Sequence, residues 1–151
     1  MYALLAHLER LGGVASLAEL MAGGHDMGLI WLLADSRKRL MRVRKGIYAL
    51  RDTPELALRA CRTGGQLDCI SALTFHGERE PNPGDRLHIR VPSTGAPRRG
   101  SARRAGVGPE VIIHWSRRPF SGTRASVTVD EAYRQAARCR ALTPPRARDS
   151  L

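Results

Sequence analysis

Three pairs of adjacent glycines limit how long a helix can run in the first half of the chain. They are Gly12-Gly13, Gly23-Gly24 and Gly64-Gly65. Glycine weakens a helix interior and is favoured just beyond a helix end, because it adopts left-handed backbone angles without a steric penalty. We therefore expect one helix to end before residue 12, a second before residue 23 and a later one before residue 64.

Residues that favour the start of a helix occur at positions consistent with these glycine pairs. Ser16 precedes Glu19 by three residues, which is the spacing of a capping box, and predicts a second helix after Ser16. Asp26 can cap a third helix from Met27 to about Arg37. The first helix is predicted from an apolar face of four leucines, namely Leu4, Leu5, Leu8 and Leu11.

A basic β-hairpin is predicted after the third helix, over Leu40 to Leu50. Its turn is Lys45-Gly46, and its strand-forming residues are Val43, Ile47 and Tyr48. Three short helices followed by a basic hairpin predict a winged helix-turn-helix DNA-binding domain over residues 1–51.

A second module is predicted over residues 54–142, beyond the joint Asp52-Thr53-Pro54. Its helices are expected at Pro54 to Arg62, from the cap Asp68 to His76, and from the cap Asp130 to Arg140. Its strands are expected at Leu87 to Val91, Val111 to Trp115 and Val127 to Val129. The fold class is therefore α+β, with an N-terminal winged helix-turn-helix and a small α/β module. A Gly-, Pro-, Ser- and Arg-rich loop runs from Ser93 to Gly108, and residues 143–151 are predicted to be a disordered tail.

The charge of the chain predicts a polyanionic partner. Of the 151 residues, 25 are basic and 14 acidic, and the formal net charge is +11. A surplus of this size favours nucleic acid, although an Arg-rich protein with a merely solvated surface would have the same composition. Hydrophobic residues make up 42% of the chain, which is enough for a packed core.

The sequence gives no sign of a membrane or secreted protein. No apolar run approaches the roughly 20 residues of a membrane-spanning helix, and the N-terminus does not resemble a signal peptide. The cysteines are Cys61, Cys69 and Cys139, an odd number without a CxxC pair. We therefore expect reduced thiols, on predicted helices and in the core, in a cytoplasmic protein.

Basic residues are concentrated at the end of the third helix and on the hairpin. Cations there would position a protein on DNA phosphates without reading sequence, and the alternative is a solvated hairpin. The predicted phosphate contacts are Arg37, Lys38, Arg39, Arg42, Arg44 and Lys45. A second cluster lies in the Gly/Pro/Ser-rich loop, where it either follows a groove of the nucleic acid or is disordered. Its members are Arg98, Arg99, Arg103 and Arg104.

The third helix does not have the composition of a helix that reads bases. It contains Asp26 and Asp35 but otherwise almost no polar side chain before Ser36, whereas base edges are read by polar side chains. A helix that is apolar all round is normally buried, so we expect the second module to cover it. One alternative is that a partner protein or a second copy of the chain contacts Met27, Trp31 and Leu32, and another is that the helix contacts the DNA groove.

The order of several short motifs resembles one known family. In the N-terminal part these are Gly12-Gly13-Val14-Ala15 and Arg42-Val43-Arg44-Lys45-Gly46-Ile47-Tyr48. In the second module they are Ser71-Ala72-Leu73, His76-Gly77, Leu87-His88-Ile89-Arg90-Val91-Pro92 and His114-Trp115-Ser116. Over residues 10–140 the chain resembles AbiEi-like antitoxins and the winged-helix head of actinobacterial proteins that carry a Vsr-like endonuclease domain.

The resemblance implies DNA binding by the winged helix, often with autoregulation of the operon. In the antitoxins, the region that follows opposes a nucleotidyltransferase toxin. In the nuclease-fused relatives, a further C-terminal domain would supply the chemistry. The chain departs from the family in its third helix, where relatives usually have several basic residues.

Sequence motifs of known catalytic sites are absent. Neither lysine has an acidic residue two positions before it, no Asp-x-Asp pair occurs, and no phosphate-binding glycine loop is present. His88 and His114 can face each other from neighbouring strands, and we expect a structural pair there and not a metal site. We expect an exposed turn, and not a metal site, at Glu78, Glu80 and Asp85.

The sequence therefore predicts a transcriptional regulator of the antitoxin type that occupies promoter DNA, with no catalytic residue, cofactor or metal. Its partner would be double-stranded DNA, together with a toxin protein or a second copy of the chain. The alternative is a protein-interaction module with weak, non-specific DNA affinity. It would be an antitoxin that binds a toxin, or a remnant of a nuclease-bearing protein that retains only the targeting head.

Overall fold

A computed structural model describes residues 1–36, 38–95, 111–118 and 121–139 of the chain. Helices and short strands alternate within these ranges, so the predicted α+β class is confirmed. The helices are α1 (Tyr2–Arg10), α2 (Leu17–Ala22), α3 (Met27–Asp35), α4 (Glu55–Thr63), α5 (Cys69–Phe75) and α6 (Val129–Cys139). The strands are β1 (Val14–Ser16), β2 (Leu40–Arg44), β3 (Ile47–Leu50), β4 (Gln66–Leu67), β5 (Leu87–Pro92) and β6 (Val111–Ser116).

The N-terminal sheet has the antiparallel order β1-β3-β2. Strands β2 and β3 form the predicted hairpin around Gly46, which has a φ of +75°. Strand β1 was not predicted, because its three residues directly follow the glycine pair that ends α1. Gly12 and Gly13 both have positive φ and turn the chain sharply, so that Val14 comes to lie opposite Ala49.

Alternate side chains of this sheet enter two different cores. Ala15, Leu40 and Tyr48 are buried against α1, α2 and α3. Val14 and Ala49 face the opposite side and are buried with residues of helices α4 to α6 and strands β4 to β6, which we call the second unit; Leu58 of α4 is among them. The sheet is therefore a shared layer between the two halves of the chain.

Most predicted helix caps are present. The Ser16 hydroxyl accepts from the Glu19 amide at 3.1 Å, and the Glu19 carboxylate accepts from the Ser16 amide at 2.8 Å, which completes the capping box. Asp26 and Asp68 also cap the helices that follow them. The predicted cap at Asp130 is wrong, because α6 begins at Val129 and already includes Asp130, and the Thr128 hydroxyl accepts from the Glu131 amide.

The second sheet has the order β4-β5-β6, with β4 antiparallel and β6 parallel to β5. Strand β5 is buried along most of its length. The strand predicted over Val127 to Val129 is wrong. Ser126 forms a single bridge with Leu67, because β4 offers only two residues for pairing and α6 starts at Val129.

A chain of buried ion pairs crosses the second unit. Arg90 on β5 donates from Nε to Asp68 Oδ2 at 3.2 Å and from Nη2 to Glu131 Oε1 at 2.7 Å. All three side chains are buried. The hydrogen bond from Arg90 lowers the pKa of Glu131, whereas burial raises the pKa of Asp68 despite its contact with the same guanidinium.

Replacing Glu131 should therefore cost stability in a pH-dependent way. Glu131→Gln keeps the shape but removes the charge, and we expect the free energy of unfolding at pH 7 to fall by about 1.5–3 kcal/mol. Because the folded-state pKa of Glu131 lies below its ordinary 4.5, its stabilisation is complete above that pH and is lost as the pH falls through the lowered value. The free energies of unfolding of the variant and the wild type should therefore differ less at about pH 3 than at pH 7, and urea unfolding at both pH values measures this difference.

Glu55 provides the control for this substitution. It pairs with Arg62 at 2.9 Å, but its side chain is 57% exposed. Glu55→Gln should change stability by less than about 1 kcal/mol. An equal loss in both variants, or a loss in Glu131→Gln that does not change with pH, would contradict the role given to the buried pair.

Candidate nucleic-acid surface and a buried cysteine-histidine cluster

Five of the predicted nucleic-acid contacts lie on the exposed surface. Lys38 and Arg39 lie in the connection between α3 and β2, and the hairpin carries Arg42, Arg44 and Lys45. Within the described ranges, none of these five exposed cations belongs to an ion pair. The remaining predicted contacts, Arg37, Arg98, Arg99, Arg103 and Arg104, lie outside the described residues.

The hairpin places its cations on two sides. Arg42 pairs in register with Tyr48, whereas Arg44 pairs with Ile47, because the register shifts between Arg42 and Arg44. Tyr48 faces the helices and Ile47 faces the second unit, so the two arginines lie on opposite faces of the sheet. The predicted basic cluster is therefore divided, with Arg42 on the side of α3.

A groove of about 880 Å³ separates α3 from the hairpin. Arg42, Lys45 and Arg51 line it together with Trp31 and Asp35, and we call it the basic groove. Its three cations outnumber its one carboxylate. Arg51 was not predicted, because it follows β3 and is separated in sequence from the cations of the hairpin.

Helix α3 is only partly covered. Ile30 is buried, but the side chains of Trp31 and Leu32 are 48% and 64% exposed. The expectation that the second unit covers this helix is wrong for these two residues, because that unit packs on the opposite face of the N-terminal sheet. Met27 is half-buried. The exposed part of α3 therefore offers apolar side chains and one carboxylate, Asp35, and no basic group.

A cluster of cysteine and histidine side chains, which can ligate a metal ion, lies inside the second unit. One ligand atom from each of Cys69, His88, His114 and Cys139 lies within 4.8 Å of the other three, and we call this group the Cys/His cluster. His88 Nδ1 is 3.1 Å from His114 Nε2 and 3.8 Å from Cys139 Sγ. The two imidazole rings are stacked with their centroids 5.4 Å apart.

Four different elements supply the cluster. His88 pairs in register with Ile112 on the parallel strand β6, and Arg90 pairs with His114. Paired residues of neighbouring strands point to the same face, so both histidines lie on one side of the sheet. Cys69 is the first residue of α5 and Cys139 is the last residue of α6.

Burial sets the protonation of the cluster. Burial, reinforced by the neighbouring His114, lowers the pKa of His88 to about 4, and burial also lowers the pKa of His114. Burial raises the pKa of the Cys69 thiol to about 12. Both imidazoles are therefore neutral at pH 7 and can each present a nitrogen lone pair.

The backbone at Cys69 is held in an unusual conformation. Its φ is +54°, the one positive φ at a non-glycine position in the described part of the chain. The Cys69 amide donates to Asp68 Oδ1 at 2.7 Å, and Asp68 is itself fixed by Arg90. Such angles cost free energy and persist where the surroundings determine them, so the ion-pair chain positions Cys69 in the cluster.

The acidic residues at the other predicted turn do not converge. Asp85 accepts two hydrogen bonds from Arg79, which lower the pKa of its carboxyl, and Glu78 accepts from the Tyr133 hydroxyl at 3.1 Å. Asp85 and Glu78 are therefore directed to separate partners, and the predicted Glu80 is exposed.

No protein-family model matches the chain, and no curated protein matches it. The resemblance to AbiEi-like antitoxins therefore stays a prediction based on the short motifs described above. Within the described ranges, none of the helices combines the length and apolar character needed to cross a bilayer.

The sequence alone suggested only half of the Cys/His cluster. It predicted that His88 and His114 face each other, which the structure confirms. It also predicted a structural pair there and not a metal site, which stays a prediction, and it assigned the cysteines separately to the core. Cys61 and Cys69 are buried and Cys139 is half-buried. The intervals between the four cluster residues match no short metal-binding motif, so the signal becomes visible only when strands and helices are assembled.

Proposed function

We propose that the chain binds double-stranded DNA through the basic groove and the hairpin, and that its N-terminal unit is a winged helix-turn-helix. The observation that carries this proposal is the set of exposed cations around the groove, which form no ion pair with any residue that the structure describes. The order of helices followed by a β-hairpin fits a winged helix, with the hairpin as the wing. Arg42, Lys45 and Arg51 would contact phosphate oxygens.

The proposed binding mode depends on charge more than on base recognition. The exposed part of α3 carries Trp31 and Leu32, which cannot form the paired hydrogen bonds that distinguish base edges. Sequence preference would then come from the shape and deformability of the DNA or from the segment that contains Arg98 and Arg99. The chain would act without catalysis, as a cytoplasmic regulator of the antitoxin type that occupies promoter DNA.

The dependence of affinity on salt tests the phosphate contacts. Neutralising about five phosphates gives a slope of log K against log salt near −4.5, at about 0.9 per phosphate. Replacing Arg42, Lys45 and Arg51 with alanine should make that slope shallower by about 3. Fluorescence anisotropy with a labelled duplex, measured from low salt to about 200 mM, gives both values.

A control removes exposed positive charge from the second unit. Arg117 and Arg118 are exposed there, and replacing both with alanine should leave the slope nearly unchanged. A flat salt response of the wild type, or an equal change per charge removed in the two variants, would refute the proposed groove. Comparing the gene's own upstream DNA with a scrambled duplex then measures specificity, for which a site-specific regulator shows a preference of about 10³-fold or more.

The exposed apolar surface of α3 favours a second candidate function, the binding of another protein. Trp31 and Leu32 lie on it side by side in sequence, and large apolar side chains on a surface are typical of contact sites. The partner would be a toxin protein or a second copy of the chain. In this case, DNA affinity would be weak and without sequence preference.

A double substitution separates the two functions. Trp31→Ser with Leu32→Ser should leave the free energy of unfolding within about 1 kcal/mol, because both side chains are substantially exposed. If α3 joins two copies, the variant becomes monomeric in sedimentation velocity, whereas the groove variant keeps the wild-type mass. If the variant instead keeps the oligomeric state of the wild type and loses DNA binding, Trp31 and Leu32 belong to the DNA-binding surface.

A further inference from the structure

We propose that Cys69, His88, His114 and Cys139 bind one Zn²⁺ ion in a tetrahedral, structural site. The proposal concerns the second unit and does not depend on the proposed DNA-binding function. Its basis is the convergence of two sulfur and two nitrogen donors, from four different elements, on one small region of the interior.

The distances between the donors fit a tetrahedral ion. With Zn–S bonds of about 2.3 Å and Zn–N bonds of about 2.0–2.1 Å, ligand atoms are separated by about 3.3 Å for two nitrogens and about 3.6 Å for nitrogen and sulfur. The structure has 3.1 Å between His88 Nδ1 and His114 Nε2, and 3.8 Å between His88 Nδ1 and Cys139 Sγ. The donors therefore need to move by only a few tenths of an ångström at these two contacts.

The donor types select the metal and its role. Two thiols and two imidazoles suit Zn²⁺, whereas Mg²⁺ and Ca²⁺ require oxygen ligands. Four protein ligands complete a tetrahedron and leave no position for a substrate or reactive water, which is the pattern of a structural site. Binding would convert both thiols to thiolates with the release of protons.

Groups around the cluster position its ligands. Gln135 Nε2 lies 3.1 Å from His114 Nδ1, and Gln135 Oε1 accepts from Arg138 Nη2 at 3.1 Å. When His114 Nε2 ligates a metal, Nδ1 carries the proton, so the Gln135 amide would turn over and accept that hydrogen bond with its oxygen in place of the bond from Arg138. Ser71 Oγ accepts from the backbone amide of His88 at 2.9 Å and fixes that strand position.

A metal at this point would hold helix α6 on the sheet. The buried residues of α6 are Glu131, Ala132 and Ala136, so the helix contributes little large apolar surface to the core. Its first half is fixed by the ion pair from Glu131 to Arg90. A bond from Cys139 to a shared Zn²⁺ would fix the other end to α5, β5 and β6.

Metal analysis of the reduced chain of 151 residues tests the proposal. After refolding with equimolar Zn²⁺ and gel filtration, we expect one zinc per chain by mass spectrometry. Co²⁺ in place of Zn²⁺ should give the intense visible absorption of a tetrahedral site and a thiolate charge-transfer band. Removing the zinc with a chelator should lower Tm by about 10 °C. This is the shift expected when a chain of this size loses a ligand that was present at about 1,000 times its Kd.

Variants locate the metal within the chain. The Cys139→Ser variant should retain little of the bound zinc, and its Co²⁺ complex should lose the part of the thiolate band that one sulfur contributes. The Gln135→Ala variant should bind zinc about 10-fold or more weakly than the wild type. Cys61→Ala is the matched control, because Cys61 is a buried cysteine outside the cluster. It should keep one zinc per chain and an unchanged Co²⁺ spectrum.

Three results would overturn the proposal. The first is a folded, reduced wild-type chain that binds less than about a tenth of an equivalent of zinc or gives an octahedral Co²⁺ spectrum. The second is a loss of zinc in Cys61→Ala as large as that in Cys139→Ser. The third is a Cys69–Cys139 disulfide in protein prepared without an oxidant. Because the wild-type spectrum is itself decisive, variants that fail to fold do not weaken the test.

Discussion

The two-sided burial of the N-terminal sheet is the constraint on which the rest of the structure depends. Three short strands pack their alternate side chains into two separate cores, with Ala15 and Tyr48 on one side and Val14 and Ala49 on the other. Because one face is covered by α1 to α3 and the other by the second unit, helix α3 has the solvent on its outer side. The same packing leaves the basic groove open beside it.

Local signals explain how much of this arrangement can be predicted from the sequence. The capping box at Ser16, the caps at Asp26 and Asp68 and the turn at Gly46 act over a few residues, and each was identified correctly. Strands β1 and β4 were missed because they are three and two residues long and are defined by their partners. The cap of α6 was misassigned because Thr128 and Asp130 are both capable of capping, and the hydrogen bond to the helix is made by Thr128.

The candidate sites show the same limit at longer range. The cations of the hairpin are contiguous in sequence, so a basic surface could be predicted, but its division between two faces follows from a shift in strand register. Arg51 joins the groove only because β3 returns the chain to it. The Cys/His cluster joins residues from four elements, and only its two histidines could be linked in advance, because they lie on predicted neighbouring strands.

The parallel pairing of β5 with β6 makes the assembly of the Cys/His cluster depend on the register of these two strands. A slip of one residue would turn His114 to the opposite face of the sheet and put Ile113 or Trp115 in its place. Neither of those side chains has a nitrogen or sulfur lone pair suited to the cluster. Of the neighbouring alignments of the two strands, only the native one brings all four donors together, so the assembled cluster distinguishes a correctly paired sheet from a mispaired one.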